Sequence, residues 1–446
     1  MKQLTLIFLV ILLNTNSYSQ VKTSQDYGRK KVGLVLSGGG AKGVAHIGVI
    51  KVLEKAGIPI DYIAGTSMGA IAGGLYSIGY SAKDLENIIL RQNWIELISD
   101  NLPRQDKLLS ERELNDQYLF TVPFTKDNKI KLPYGIIQGQ NIFNLLNELT
   151  IGFHDSTSFD TFPTPFACVA FDVVKGKEVI IRNGNLPLAL RSSMSIPGVF
   201  TPVKRDGMLL IDGGVINNFP VDVVRAMGAD IVIGVDLSSG MRGEEEINSI
   251  VDILDQITSY MWRETYLKNK IDCDLYLHPG LKNYTAASFS DEAIRDLVHI
   301  GEEDALKNWD KIQILKSKIG ISKDFNYSRK IKSQVSDSTL FKIGKIEIDG
   351  ISINDADFLL KKMGISEYSE LNLIDLNKAI RTIRGVGIFS QVTYRVMEEA
   401  PYTLSIYATK KVNNTINLGL RFDTEEMIAA LLNTNINTNG FIRATA

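Results

Sequence analysis

Ile60-Asp61-Tyr62-Ile63-Ala64-Gly65-Thr66-Ser67-Met68-Gly69-Ala70-Ile71-Ala72 takes the chain from a short apolar run into a segment of Ala, Gly and Leu. The first half reads as a strand and the second as a helix. Between them stands G-x-S-x-G, a sharp strand-to-helix turn that exposes Ser67 while Gly65 and Gly69 relieve the crowding around it. Thr66 and Met68 complete the pentapeptide. A serine hydroxyl is a poor nucleophile at its free pKa, so this reading requires a base elsewhere in the chain.

One strand upstream, Val32 to Leu36, lies a second glycine-rich turn, Ser37-Gly38-Gly39-Gly40-Ala41-Lys42-Gly43, which opens a helical segment from Val44 to Ala56. Consecutive glycines let backbone N–H groups converge, and a helix N-terminus adds partial positive charge, so the turn can hold a phosphate or an oxyanion. Its spacing also fits G-x-G-x-x-G, which makes a dinucleotide site the competing reading. Val44 after Gly43 excludes a P-loop. A dinucleotide fold would end the second strand on an acidic residue; here Gly65 and Thr66 stand there, and Asp61 precedes the strand.

The same alternation continues downstream. Tyr62 to Ala64, Phe166 to Phe171, Val179 to Ile181, Met208 to Ile211 and Ile231 to Val235 read as strands. Met68 to Ile78, Asp84 to Gln92, Ile142 to Thr150, Leu186 to Ser195 and Val221 to Met227 read as helices, closed by Glu244 to Lys270 and Asp291 to Lys318. Strands alternating with helices predict an α/β domain over 31–319, with a mostly parallel sheet covered on both faces. Leu85 to Ile98 reads as a core-facing helix in preference to an interfacial lid.

Two bases are open to Ser67. Met208 to Ile211 delivers Asp212, followed by Gly213 and Gly214, and Asp212 either takes the Ser67 proton directly or orients a histidine. In the second scheme His278 completes the order Ser, Asp, His. His46 reads as a packing residue, and His154 and His299 have no motif around them.

Length and composition bound the rest. A chain of 446 residues suggests two to four domains. The 49 Lys plus Arg against 51 Asp plus Glu leave a net charge of −2, without the basic footprint of a nucleic-acid binder. Two cysteines and 4 scattered histidines give neither a disulfide framework nor a metal-ligand cluster, so no metal or cofactor is expected, and Cys168 and Cys273 read as buried free thiols. Lys2, the apolar run Leu4 to Leu13 and Ser17-Tyr18-Ser19 read as a secretory signal peptide over 1–20, which predicts an exported chain. A polar stretch over 320–340 reads as a linker. Over 341–398 an alternating strand, helical patterns at Ala356 to Met363 and Leu373 to Ile383, and a strand pair around Ile388 to Val396 read as a small α+β module. The alternation over 402–446 reads as antiparallel strands, the truncated start of an outer-membrane barrel.

Gly38-Gly39-Gly40-Ala41-Lys42-Gly43, Gly65-Thr66-Ser67-Met68-Gly69 and Asp212-Gly213-Gly214, with Ser193-Met194-Ser195-Ile196-Pro197-Gly198-Val199-Phe200 just before the last, resemble in order and separation the signatures of the patatin-like phospholipases. The resemblance covers about 31–319 and implies a three-layer α/β/α domain that cleaves acyl esters of lipids without metal. It implies Ser67 as nucleophile, Asp212 as general base and the turn Gly38 to Gly43 as oxyanion hole, favouring the dyad over the His278 triad. Phe341 to Met397 is similar to a POTRA module, and the tail over 402–446 resembles the opening strands of outer-membrane surface-antigen barrels. Together these look like the type Vd patatin autotransporters, implying a membrane-lipid substrate and an outer-membrane or secreted location. A non-enzymatic envelope scaffold and an acyltransferase using the same dyad are the alternatives.

Overall fold

The computed structural model describes residues 28–107, 109, 112, 120–123, 135–155, 157–238, 240–241, 243–247, 250–321, 340–397, 401–411, 415–421, 429–437 and 443–445. The expected signal peptide and nearly all of the linker lie outside them.

In the front domain, β1 (Val32–Leu36), α1 (Ala45–Ala56), β2 (Tyr62–Thr66) and α2 (Met68–Ser77) follow one another as the alternation predicts. Next come α3 (Ala82–Leu90), α4 (Trp94–Ser99), α5 (Gln140–Leu149), β3 (Phe166–Asp172), β4 (Lys177–Ile181), α6 (Leu186–Ser193), β5 (Val203–Arg205) and β6 (Met208–Asp212). The domain closes with α7 (Val221–Met227), β7 (Ile231–Val235), α8 (Ile250–Ile271), β8 (Leu275–Leu277), α9 (Asp291–Lys307) and α10 (Trp309–Ile319). The helix-rich stretch expected over Asp291 to Lys318 is two helices, parted at Asn308.

The eight strands form one sheet in the order β5-β6-β3-β2-β1-β7-β8, with β4 also on β3. The run β3-β2-β1-β7-β8 is parallel, while β4, β5 and β6 are antiparallel to their neighbours. A parallel sheet is covered on both faces, so its strands are apolar throughout; every residue of β1 is buried. Leu34, Leu36 and Ile63 join a core with α1 and α2, whereas Val35, Ala64 and Val169 join a second core with Val223 and Val224 of α7. These two cores make the domain a three-layer α/β/α sandwich.

Register sets the site. Leu36 pairs with both Gly65 and Val235, so β1, β2 and β7 end level at one edge of the sheet. Thr66 pairs with Val169, and Asp212 pairs with Ala170, the next residue of β3. Asp212 therefore stands level with Ser67, two strands away.

The rear module contains β9 (Phe341–Asp349), α11 (Ile353–Met363), β10 (Glu370–Leu371), α12 (Leu373–Gly385), β11 (Phe389–Met397) and β12 (Tyr402–Lys410), with strand order β10-β9-β12-β11. Leu359, Leu376, Ile380 and Ile383 of its helices pack on Val392, Tyr394, Leu404 and Ile406. Two expectations change here. Ile388 to Val396 forms one strand instead of a pair, and its partner is Tyr402–Lys410, which the sequence groups with the tail. That strand also pairs with β9, so the module's sheet runs to Lys410 instead of stopping at 398. Leu404, Ile406 and Ala408 alternate inward, a pattern common to a module strand and a barrel strand. Beyond it, β13 (Thr415–Arg421) and β14 (Ala429–Asn437) pair with each other, with Phe120–Pro123 along β13 and Arg443–Thr445 along β14.

Candidate active site

Ser67 occupies the turn between β2 and α2 with φ 55 and ψ −123. Positive φ is costly for a side chain with a Cβ, and it persists only where neighbours hold it. The Ser67 N–H donates to Ser193 Oγ at 3.0 Å, Ser193 in turn donates to the Val169 carbonyl at 2.6 Å, and the Thr66 hydroxyl donates to the Asn217 carbonyl at 2.8 Å. Gly69 is required by contact: a Cβ there would lie 2.2 Å from the Leu36 carbonyl oxygen.

The turn after β1 comes up against this elbow. A Cβ on Gly38 would be 3.2 Å from Ser67 Cβ. Its backbone donors are not equivalent. Gly38 donates to the Asn218 carbonyl at 3.3 Å, Ala41 to that of Ala286 at 2.9 Å and Lys42 to that of Gly39 at 3.2 Å. Gly39 and Gly40 are left as the loop's N–H groups with no carbonyl acceptor among the described residues. Of the six residues expected from sequence to form an oxyanion hole, Gly38, Ala41 and Lys42 thus spend their N–H groups in shaping the loop. Ser37 anchors its root: it donates its N–H to the Val235 carbonyl at 3.1 Å and accepts from Leu237 N–H at 2.8 Å. His46 Nε2 meets the Ser37 carbonyl at 2.8 Å, which makes it the donor there, and burial lowers its pKa to about 4. His46 is a buried strut.

Asp212 ends β6, with its N–H on the Ser195 carbonyl at 3.0 Å and its Oδ1 accepting from Gly214 N–H at 2.7 Å. Ser67 and Asp212 are 6% and 5% exposed and open into the same cavity as Gly38, Gly39 and Gly40. The sequence singles out the stretch Ser193 to Phe200 without assigning it work. Ser193 holds the Ser67 backbone and Ser195 holds that of Asp212, so this segment spaces the two.

The cavity is about 960 Å³. Ser67, Asp212 and the glycine turn form a polar end. The rest is mostly apolar, walled by Ile71 of α2, Ile88 of α3, Leu97 and Ile98 of α4, and Ile142 and Leu146 of α5, with Gln92 and Ser99 among the polar exceptions. Leu85 to Ile98 is therefore two short helices facing the cavity, with Ile95 76% exposed.

His278 does not join this site. It follows β8, three strands from β2, or about 14 Å at the usual strand spacing. Its Nδ1 lies 2.8 Å from the Asp236 carbonyl, and its side chain is half-exposed. His154 is buried against the Asn147 carbonyl, and His299 pairs with Glu303 on the surface of α9. Cys168 and Cys273 are free thiols.

A family model described as patatin-like phospholipase matches residues 34–225, a span that contains both Ser67 and Asp212. An NTE family protein of Mycobacterium tuberculosis is 34% identical over 208 residues, 47% of this chain and 30% of that protein. Patatin-like phospholipase domain-containing protein 6 of Mus musculus is 32% identical over 225 residues, 50% of this chain and 14% of that protein. Among solved structures, VipD from Legionella pneumophila matches with a TM-score of 0.35 at 14% identity, over 64% of this chain and 67% of that one. The type III effector ExoU matches with a TM-score of 0.32 at 13% identity, over 64% and 54%. The chain thus spans under a third of either curated relative quoted. With its glycine turn, serine elbow and Asp-Gly-Gly strand end at one edge of a three-layer sandwich, the stretch 34–225 is a patatin-like phospholipase domain.

Proposed function

We propose that the chain is a serine acyl hydrolase of lipid esters, with Ser67 as nucleophile, Asp212 as general base, and the N–H groups of Gly39 and Gly40 as oxyanion donors. The observation that carries this is the common level of Ser67 and Asp212 at the head of a long apolar cavity. Asp212 takes the Ser67 proton as Oγ attacks the ester carbonyl, and the two glycine donors receive the negative charge that develops on oxygen. Collapse of the tetrahedral adduct expels the alcohol, which leaves with the proton from Asp212. Water, deprotonated by Asp212, then releases the fatty acid and restores Ser67. The apolar walls supply the affinity for an acyl chain. An envelope location rests on the signal-like run Leu4 to Leu13 and on the likeness of the rear module to a POTRA unit; both belong to the same proposal.

The test is acyl release from phospholipid vesicles by the full chain. Ser67→Ala and Asp212→Asn are expected to lower turnover by about a thousandfold or more without shifting the melting temperature, with His278→Ala near wild type. Equal activity in Ser67→Ala and wild type would sink the reading. Acyl transfer to an added alcohol or lysolipid in place of free fatty acid would identify an acyltransferase using the same dyad.

A further inference from the structure

Helix α5 works on both of its sides. Ile142, Leu145, Leu146 and Leu149 face the cavity. Its other side, and the turn after it, receive the rear module. The Gln140 side-chain amide donates to the Val392 carbonyl of β11 at 2.9 Å and accepts from the Val392 N–H at 3.1 Å. Asn377 donates to Glu148 at 2.8 Å, and the Val396 N–H donates to His154 Nδ1 at 3.2 Å.

At the N-terminus of α5 the contact becomes a junction. The chain leaves α4 through Asp100, which has φ 56. Its carboxylate accepts the N–H groups of Gly139 at 2.5 Å and Asn141 at 2.8 Å, capping α5 and favouring its positive end. The Asn141 side chain donates to the carbonyls of Glu96 at 2.9 Å and Asn101 at 3.2 Å, returning to α4. Onto this knot comes Arg384, from the last turn of α12. Its guanidinium donates to Asn141 Oδ1 and, at 3.3 Å, to the Asp100 carbonyl. A planar fork can span two acceptors on different elements, whereas an ammonium is a point donor.

We infer that Arg384 is a positioning residue for the acyl cavity: by tying Asn141 to Asp100 it fixes α4 against α5, so the rear module sets the shape of the front domain's binding wall. The inference rests on the acyl-ester reading above and deepens it. Leu97 and Ile98 on α4 and Ile142 and Leu146 on α5 face the cavity together, so a slip between the helices alters the fit of a long acyl chain. A short acyl group, held at the Ser67 end, does not reach that wall.

The experiment uses the full chain as wild type, Arg384→Ala and Arg384→Lys. It measures kcat/KM on soluble butyrate and dodecanoate esters, and hydrogen exchange over 94–101 and 139–150. Arg384→Ala is expected to lose about tenfold on the dodecanoate ester, mainly in KM, and under about twofold on the butyrate ester. Exchange should rise about tenfold in those two segments and stay unchanged in β1 and β2. Arg384→Lys should fall between, and it serves as the folded comparison if the alanine variant does not fold. Equal losses on both esters, or exchange raised across β1 and β2, would mean that Arg384 only stabilises the fold. Local exchange that rises with no chain-length effect would leave a structural tie and overturn the positioning role. Should wild type hydrolyse neither ester, the acyl reading fails by itself, and a local, Arg384-dependent rise in exchange still supports the tie, while its absence overturns it.

Discussion

Two of the molecule's sheets, that of the front domain and that of the rear module, meet the same problem differently. In the front domain a parallel core buries both faces, and its strands end at a common edge where the backbone must turn at once into helices. Those turns demand particular residues: a glycine where a carbonyl lies against the α-carbon, a serine forced to positive φ. In the rear module β11 and β12 form a hairpin, but β12 also pairs with β9 from far earlier in the chain, and so lies between β9 and β11 although it comes after both. Tight local geometry leaves a mark in the sequence; long-range partnership does not.

Substitutions sharpen this contrast, and the largest effect belongs to the front. Gly69→Ala puts a methyl group 2.2 Å from the Leu36 carbonyl oxygen. It is expected to cost about 3 kcal/mol in urea unfolding, or to prevent folding, whereas Gly364→Ala, whose added methyl group meets nothing within 4 Å, suffers only the strain of φ +66. A loss at Gly69 no bigger than at Gly364 would break the comparison.

Next comes pH. His46 has a folded-state pKa of about 4, below the 6.5 of an exposed histidine, because burial disfavours the charged ring. The unfolded chain therefore binds more protons between these values. Stability that is full above about pH 6.5 is lost as pH falls toward about 4, by on the order of 3 kcal/mol. His46→Gln keeps a donor for Ser37 and cannot titrate, so its urea midpoint should vary less over that range. An unaltered pH slope would remove His46 from the account.

At the contact between the two regions, Gln140→Ala leaves the Val392 N–H and carbonyl without their partner and should cost about 1–3 kcal/mol. Limited proteolysis should then separate the regions sooner. The smallest effect is chemical: burial pushes the Cys168 and Cys273 thiols up to about 12, so neither should react with a thiol reagent at neutral pH until the domain opens.

Legibility in the sequence divides along the same line. Val32–Leu36 and Ile231–Val235 match the expected strands residue for residue, since five consecutive apolar residues bounded by turns admit little else. Ser67, Asp212 and the glycine turn were legible because each sits where a strand becomes something else. Only the structure separates the N–H groups of Gly39 and Gly40 from that of Ala41, because the distinction depends on Ala286, far along the chain. The bonds of Ser193 and Arg384 are likewise hidden in the sequence, for a hydroxyl or guanidinium bonded to residues far away in the chain has no local spacing to betray it. The alternation over 402–410 does not tell the module's last strand from the tail, because a period of two identifies a strand and not its sheet.

The Gln140 amide carries a consequence for the chain as a substance. With its donor and acceptor on one Val392, it makes the pair of bonds that a neighbouring strand would make, and His154 repeats half of this at Val396. The outer side of β11 is thus capped by side chains at Val392 and Val396. Cut from the front domain, the module would present that side as a raw edge, and raw edges recruit other strands. The enzyme-like half then doubles as a guard against clumping, and any protease that severs the two creates a fragment disposed to polymerise.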